Sequence, residues 1–236
     1  MIEVAGLTVR YGGVTSLDDM SLTFEQGTCG LIGPNGAGKT TFFNVVSGFV
    51  RPAAGTVRAF GVDLLSMAHF RRARWGVRRT IQTEQAIEEL SVFDNVAMVH
   101  EHSKLGASAR KRDVLDAIGF VGLDAVAPDT QVRTLTAGQR RLVEVARAVV
   151  GRPRLVLLDE PAAGLPDEET SHLGDVIRRI PEHTGALAIL VDHDMSLVSA
   201  CCATTAVLDF GKLIASGPTA AVLRDDDVIR AYLGVG

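Results

Sequence analysis

GPNGAGKT, Gly33 to Thr40, decides the fold of this 236-residue chain. The apolar pair Leu31 and Ile32 runs into it, and TTFFNVVSG after it has helical spacing stopped by Gly48. Strand, glycine-rich turn and helix in that order is the context of a phosphate-binding loop. Gly33, Gly36 and Gly38 let the backbone turn sharply and aim N–H groups inward at phosphate oxygens. Pro34, Asn35 and Ala37 complete the turn, and the helix behind adds its positive N-terminal end. Lys39 supplies a mobile positive charge for the β- and γ-phosphates, and Thr40 a hydroxyl for magnesium. Thr41 closes this nucleotide-binding set.

Downstream, LVLLDEP at Leu155–Pro161 is an apolar strand ending in two acids, Asp159 and Glu160, placed to hold magnesium and activate water. Between the two lies LTAGQ, Leu135 to Gln139, a short glycine-containing turn that opens a helix. Bulk properties agree with a folded nucleotide-dependent protein. Hydrophobic residues make up 47% and charged residues 22% of the chain, which excludes disordered and fibrous classes. The formal net charge of −4 argues against a nucleic-acid partner. No apolar run reaches the ~20 residues needed to span a bilayer. The opening MIEVAGLTVRYGG carries an acid and glycine early, which is unlike a secretory signal. Cys29, Cys201 and Cys202 have neither metal-ligand nor disulfide-scaffold spacing, so reduced thiols are expected.

Periodicity divides the rest. IEVAGLTVRY alternates like a half-buried strand, SLTFEQG and TCGLIG continue a sheet, GTVRAFGVDL predicts a hairpin, and WGVRRTIQ predicts a strand ending near Gln82. The pattern then turns helical through ELSVFDNVAMVHEH, SARKRDVLDAIGFVGL and AGQRRLVEVARAVVG, with Ser91 or a nearby residue as an N-cap. From Arg154 strands and helices alternate again. The expected organisation is one domain: an α/β core over about 1–83 and 152–236, interrupted by a helical lobe over about 84–151.

The three motifs in this order resemble the ATP-binding subunits of ABC transporters, over essentially the whole chain. The resemblance implies a P-loop NTPase of the ABC ATPase type, with a RecA-like core, an N-terminal antiparallel β part and an inserted helical lobe. It implies ATP and Mg2+ as ligands. Asp159 matches the residue that holds magnesium, and Glu160 the one that polarises the attacking water. Gln82 matches the glutamine that touches the metal or the water, and His193, in VDHD, the switch histidine that orients water and Glu160. Tyr11 matches the aromatic position that stacks on adenine. Leu135, Thr136, Ala137, Gly138 and Gln139 match the signature L-S-G-G-Q, with Ala137 in place of the first glycine. In the family this signature contacts the ATP held by a partner subunit's phosphate loop.

One departure stands out. The family's Asp or Asn before Pro is here Pro166 before Asp167, so the carboxylate comes one residue later. Asp167 then serves either a displaced family role or only as a helix N-cap. EPAAGL, HDM and VIRAYLG resemble the subunits of branched-chain amino-acid uptake systems, and PDEET also resembles those for urea and short amides. A lipid or lipopolysaccharide exporter ATPase is the alternative. The resemblance implies a peripheral location on the cytoplasmic face of the membrane, a second ATP-binding subunit, two membrane permease subunits and, indirectly, an extracytoplasmic solute-binding protein. DNA-repair and translation factors of the same superfamily carry long coiled coils or two ATPase modules, and neither is visible here. In TEQAIEELSVFDN, the apolar Ile87, Leu90 and Phe93 lie among acids, which points to a groove for a helix of a membrane subunit, with Phe93 expected to pack inward.

Overall fold

The computed structural model describes residues 1–81, 86–100 and 107–233. β1 (Ile2–Tyr11) turns back into β2 (Val14–Phe24) as an antiparallel hairpin. β3 (Thr28–Ile32) leads into the glycine loop, and α1 (Lys39–Ser47) leaves it. β4 (Ala54–Ala59) and β5 (Val62–Asp63) form the second expected hairpin, and β4 pairs with β1. The N-terminal antiparallel part is thus a four-stranded sheet in the order β2-β1-β4-β5.

α2 (His69–Trp75) and β6 (Val77–Arg79) follow, then three helices: α3 (Val92–His100), α4 (Ala107–Phe120) and α5 (Ala137–Val149). The chain returns to the sheet with β7 (Leu155–Asp159), α6 (Asp167–Thr184), β8 (Leu187–Val191), α7 (Met195–Cys201) and β9 (Thr204–Asp209). It finishes with β10 (Lys212–Pro218), α8 (Thr219–Val222) and α9 (Asp226–Leu233). The second sheet has six strands in the order β10-β9-β3-β8-β7-β6, parallel except for β10.

Both faces of this sheet are covered, which is why its strands read as continuous apolar runs. Along β7, Leu155 and Leu157 face a core shared with α1 and the antiparallel sheet, including Phe42 and Phe43. Val156 and Leu158 point the other way, into a core built with α3 to α7. The period of two assigns alternate residues of one strand to two separate cores. α1 is held at its far end by Arg72, a buried side chain of α2 whose guanidinium donates to the Val45 and Val46 carbonyls and to Met67 O. A cation on the last carbonyls of a helix satisfies acceptors that have no partner inside it.

The strand expected over WGVRRTIQ is shorter. Trp75 still belongs to α2, and Gly76 makes the turn at φ 122°, where a Cβ would meet Arg154 N at 2.9 Å. Three residues pair with β7, and Thr80 N–H adds one more bond, to Leu157 O at 2.9 Å. The expected strand end at Gln82 lies outside the described residues. Ser91 acts as expected: its hydroxyl accepts from Asp94 N–H at 2.9 Å at the head of α3.

Candidate active site

The loop from Gly33 to Thr40 takes a shape that only glycine permits at two points. Gly33 has φ 147°, and a Cβ there would lie 2.0 Å from Leu208 O. Gly38 has φ 105°, and its Cβ would meet Leu17 Cδ2 and Ser16 O, each at 2.7 Å. A Cβ on Gly36, at φ 80°, would meet nothing within 4 Å among the described residues, so the loop is pinned at both ends and open at its crown, beside the exposed Asn35. Lys39 curls under the loop and donates from Nζ to Gly33 O at 2.6 Å and Pro34 O at 2.9 Å. Burial lowers its pKa, and the nearby Glu160 and Asp159 charges oppose that shift. Ala37 is buried and bonded to Pro34 O and, through its carbonyl, to Gly211 N–H. Thr40 is exposed, and the Thr41 hydroxyl lies 2.8 Å from that of Ser16. That contact sets the β1–β2 hairpin, with the half-exposed Tyr11 at its turn, on the same side of the molecule as the loop.

Neighbouring parallel strands bring the acids to this edge. β7 and β8 are in register with Asp159 opposite Val191, so the residues leaving both strands emerge side by side. Glu160 sits in the left-handed region at φ 47° and donates its N–H to Val191 O at 2.7 Å. Such backbone costs about 1–3 kcal/mol and is held by its surroundings. It aims the carboxylate at His193, whose Nε2 lies 2.9 Å from Glu160 Oε1. Asp159 is buried, and its Oδ2 accepts from Arg79 at 2.7 Å. Gln82 lies outside the described residues.

Three contributors have no signal in the sequence. Arg79 pairs with Asp159. Asp192, one residue before the histidine, accepts from Ala162 N–H at 3.3 Å and Asp194 N–H at 3.0 Å, tying the turn after Glu160 to the turn around His193. Burial raises its pKa, against the pull of those hydrogen bonds. Glu169 of α6 reaches the head of α5, its Oε1 3.5 Å from the Thr136 hydroxyl. A Cβ on Gly138 would lie 2.5 Å from the Glu169 carboxyl carbon. Each joins segments far apart in the chain.

Leu135 is buried, and Thr136 to Gln139 open α5 with reciprocal bonds. The Thr136 hydroxyl accepts from Gln139 N–H at 3.2 Å, and Gln139 Oε1 accepts from Thr136 N–H at 3.0 Å. This capping box satisfies two of the free N–H donors of the helix start, while Ala137 and Gly138 form its first turn. The N-cap reading of Asp167 is corrected. Pro166 takes that position at φ −63°, ψ 157° with no side-chain bond, and Asp167 is the first helical residue. Its carboxylate joins Glu168 and Glu169 in the first turn, where negative charge favours the helix dipole.

Among the described residues no group of three or more His, Cys, Asp or Glu is arranged to hold a metal ion. The Thr40 hydroxyl and the Asp159 carboxylate offer oxygen alone. That set fits magnesium, a hard cation that binds through one or two protein oxygens together with phosphates and water.

Comparison with known proteins matches residues 17–163 to the family described as ABC transporter. The chain belongs to this family and is an ATPase. A second family, described as branched-chain amino acid ATP-binding cassette transporter, matches residues 212–236. Over 99% of its length the cassette is 34% identical to the high-affinity branched-chain amino acid transport ATP-binding protein BraF of Pseudomonas aeruginosa, covering 98% of that protein. The same values hold for LivG of Escherichia coli strain K12, also named a high-affinity branched-chain amino acid transport ATP-binding protein. Among solved structures, an ATP-binding cassette of an ABC transporter in its ADP conformation superposes with TM-score 0.87 at 24% identity, covering 99% of this chain and 98% of that one. A dimeric cassette in a post-hydrolysis state bound to ADP and phosphate gives TM-score 0.80 at 19% identity, covering 93% and 99%. These two likenesses show the fold.

The two glycine environments predict different costs. Gly36→Ala should lower stability by about 1–2 kcal/mol, the backbone cost of a left-handed residue in open space. Gly33→Ala must also displace the Leu208 carbonyl of β9, so its loss should exceed ~3 kcal/mol in urea unfolding. Equal losses would contradict the packing of the loop against β9.

Proposed function

We propose that the cassette powers a membrane importer for branched-chain amino acids by binding and hydrolysing ATP at the edge built by the Lys39 loop, Asp159, Glu160 and His193. The observation that carries the catalytic reading is the 2.9 Å contact between His193 Nε2 and Glu160 Oε1 beside the phosphate loop. The solute reading is supported by whole-chain similarity to BraF and LivG and by the family match at residues 212–236.

In this reading the loop backbone from Gly33 to Gly38 holds the β- and γ-phosphates through its N–H groups, with Lys39, Thr40 and Thr41 at the helix start. Lys39 exchanges its bonds to Gly33 O and Pro34 O for phosphate oxygens. Tyr11 offers a ring face to adenine, an interaction worth about 1–3 kcal/mol in base-stacking sites. Thr40, Asp159 and Gln82 would hold magnesium, which would neutralise the charge that builds on the phosphates. Glu160 accepts the proton of the attacking water while His193 fixes the orientation of its carboxylate. Leu135 to Gln139 present the head of α5 to the ATP of a second ATP-binding subunit.

Two membrane permease subunits and an extracytoplasmic solute-binding protein complete the assembly, with the cassette peripheral on the cytoplasmic face. Among the described residues no helix is long and apolar enough to cross a membrane. Residues of about 84–151 act as a helical lobe on the α/β core, and the segment after Gln82 receives a helix of a permease. Phe93 and Ala86 pack against the core, as expected for Phe93. Ile87 is pinned by buried Asn95, which accepts from Ile87 N–H at 2.8 Å and donates to Ile87 O at 2.9 Å. Glu88 and Glu89 are exposed and the Ile87 and Leu90 side chains half-buried, which leaves this stretch an accessible surface.

Glu160→Gln should slow hydrolysis by about 10²–10⁴, the usual worth of a positioned general base, and should accumulate an ATP-bound dimer in size exclusion with magnesium. Lys39→Ala should instead weaken ATP binding itself, by about 1.5–3 kcal/mol, since it removes a charged hydrogen-bond donor. Wild-type turnover in the first variant or wild-type affinity in the second would overturn the site. For the docking surface, a cysteine placed at Glu88 should crosslink to the purified permease subunits; crosslinks only from the opposite face would refute it.

A further inference from the structure

Arg79 is the last residue of β6, and its guanidinium joins three elements at once. Nη2 donates to Asp159 Oδ2 at 2.7 Å, on the neighbouring strand β7. Nη1 donates to Asn44 Oδ1 at 2.6 Å, on α1. The Cζ atom lies 5.5 Å from the centre of the Phe43 ring, and Nε is buried with no hydrogen-bond partner among the described residues. The side chains of Arg79 and Asp159 are 9% and 4% exposed, so this is a desolvated ion pair rather than a surface contact. Asn44 follows Thr40 by four residues, which puts both on one face of α1. A single guanidinium therefore braces both elements that carry the expected magnesium oxygens, Thr40 on α1 and Asp159 on β7.

We infer that Arg79 is a positioning residue that stands in for the metal's positive charge beside Asp159, holding that carboxylate in place before magnesium arrives with the nucleotide. The inference rests on Asp159 being the magnesium acid of the ATPase site. A buried carboxylate stripped of its partner is an uncompensated charge, and breaking such a pair is strongly unfavourable. Lys39 also lies in the field of Asp159, but its Nζ is committed to two loop carbonyls. Removing Arg79 should thus leave Asp159 dependent on magnesium for a counter-charge. The protein without Arg79 would gain more from magnesium than the wild type does.

The test compares the dissociation constant of a fluorescent ADP analogue in EDTA with that in excess magnesium, as a ratio. Arg79→Met should raise this ratio on the order of tenfold over wild type, recovering part of the lost ion pair. Arg79→Lys, which keeps the charge but not the fork that bonds Asp159 and Asn44 together, should stay near the wild-type ratio. In an Asp159→Asn background the Arg79→Met change should leave the ratio unmoved. If Arg79→Met does not yield folded protein, Arg79→Gln carries the same expectation. An unchanged or smaller ratio in the uncharged variants, with a clear magnesium effect in wild type, would overturn the role of Arg79 alone. No magnesium effect in wild type would overturn the reading of Asp159 and this inference with it.

Discussion

Strand β7 is buried on both faces and hydrogen-bonded on both edges, and the site depends on that constraint. β6 runs beside Leu155 to Leu157 and β8 beside all five residues to Asp159, and every side chain of the strand is buried. The strand can release a polar side chain only where it leaves the sheet. There it delivers Asp159 toward α1 and Glu160, in a left-handed turn, toward the exit of β8. His193 is placed by the same register. The glycine loop, leaving β3 on the other side of β8, brings Lys39 to the same edge. Parallel strands all end on one side, so chemistry gathers at their carboxyl ends.

Charge at this edge is arranged in pairs. Arg79 faces Asp159, His193 faces Glu160, and Lys39 lies in the field of both acids. Asp192 differs: a buried carboxylate answered, among the described residues, by backbone N–H groups, which ties the turn after β7 to the turn after β8. These contacts give the two turns one shared framework. A shift in either is felt by Glu160, the group assigned to the attacking water.

Local signals made the loop, β7 and the helix after LTAGQ legible in the sequence. The glycines of Gly33–Gly38, the uninterrupted apolar run of β7 and the Thr136–Gln139 capping pair each declare themselves within a few residues. What stayed hidden depends on partners distant in the chain. Arg79 and Asp159 are 80 positions apart, and nothing in WGVRRTIQ distinguishes the arginine that turns inward. Glu169 meets Gly138 only because α6 packs beside α5. Two misreadings have local causes: Gly76 ends a helix where strand propensity dominated, and Pro166 takes the cap position without an acceptor to offer.

In the proposed assembly ATP lies between the glycine loop of one subunit and the head of α5 of its partner. Disulfide trapping between a cysteine at Asn35 and a cysteine at Thr136 of a second copy tests it directly, in a Glu160→Gln background. The native thiols of Cys29, Cys201 and Cys202 are buried and stay out of the reaction. A covalent dimer should form with ATP and magnesium and not without nucleotide. Crosslinking that is absent with ATP, or equal with and without it, would contradict the shared site.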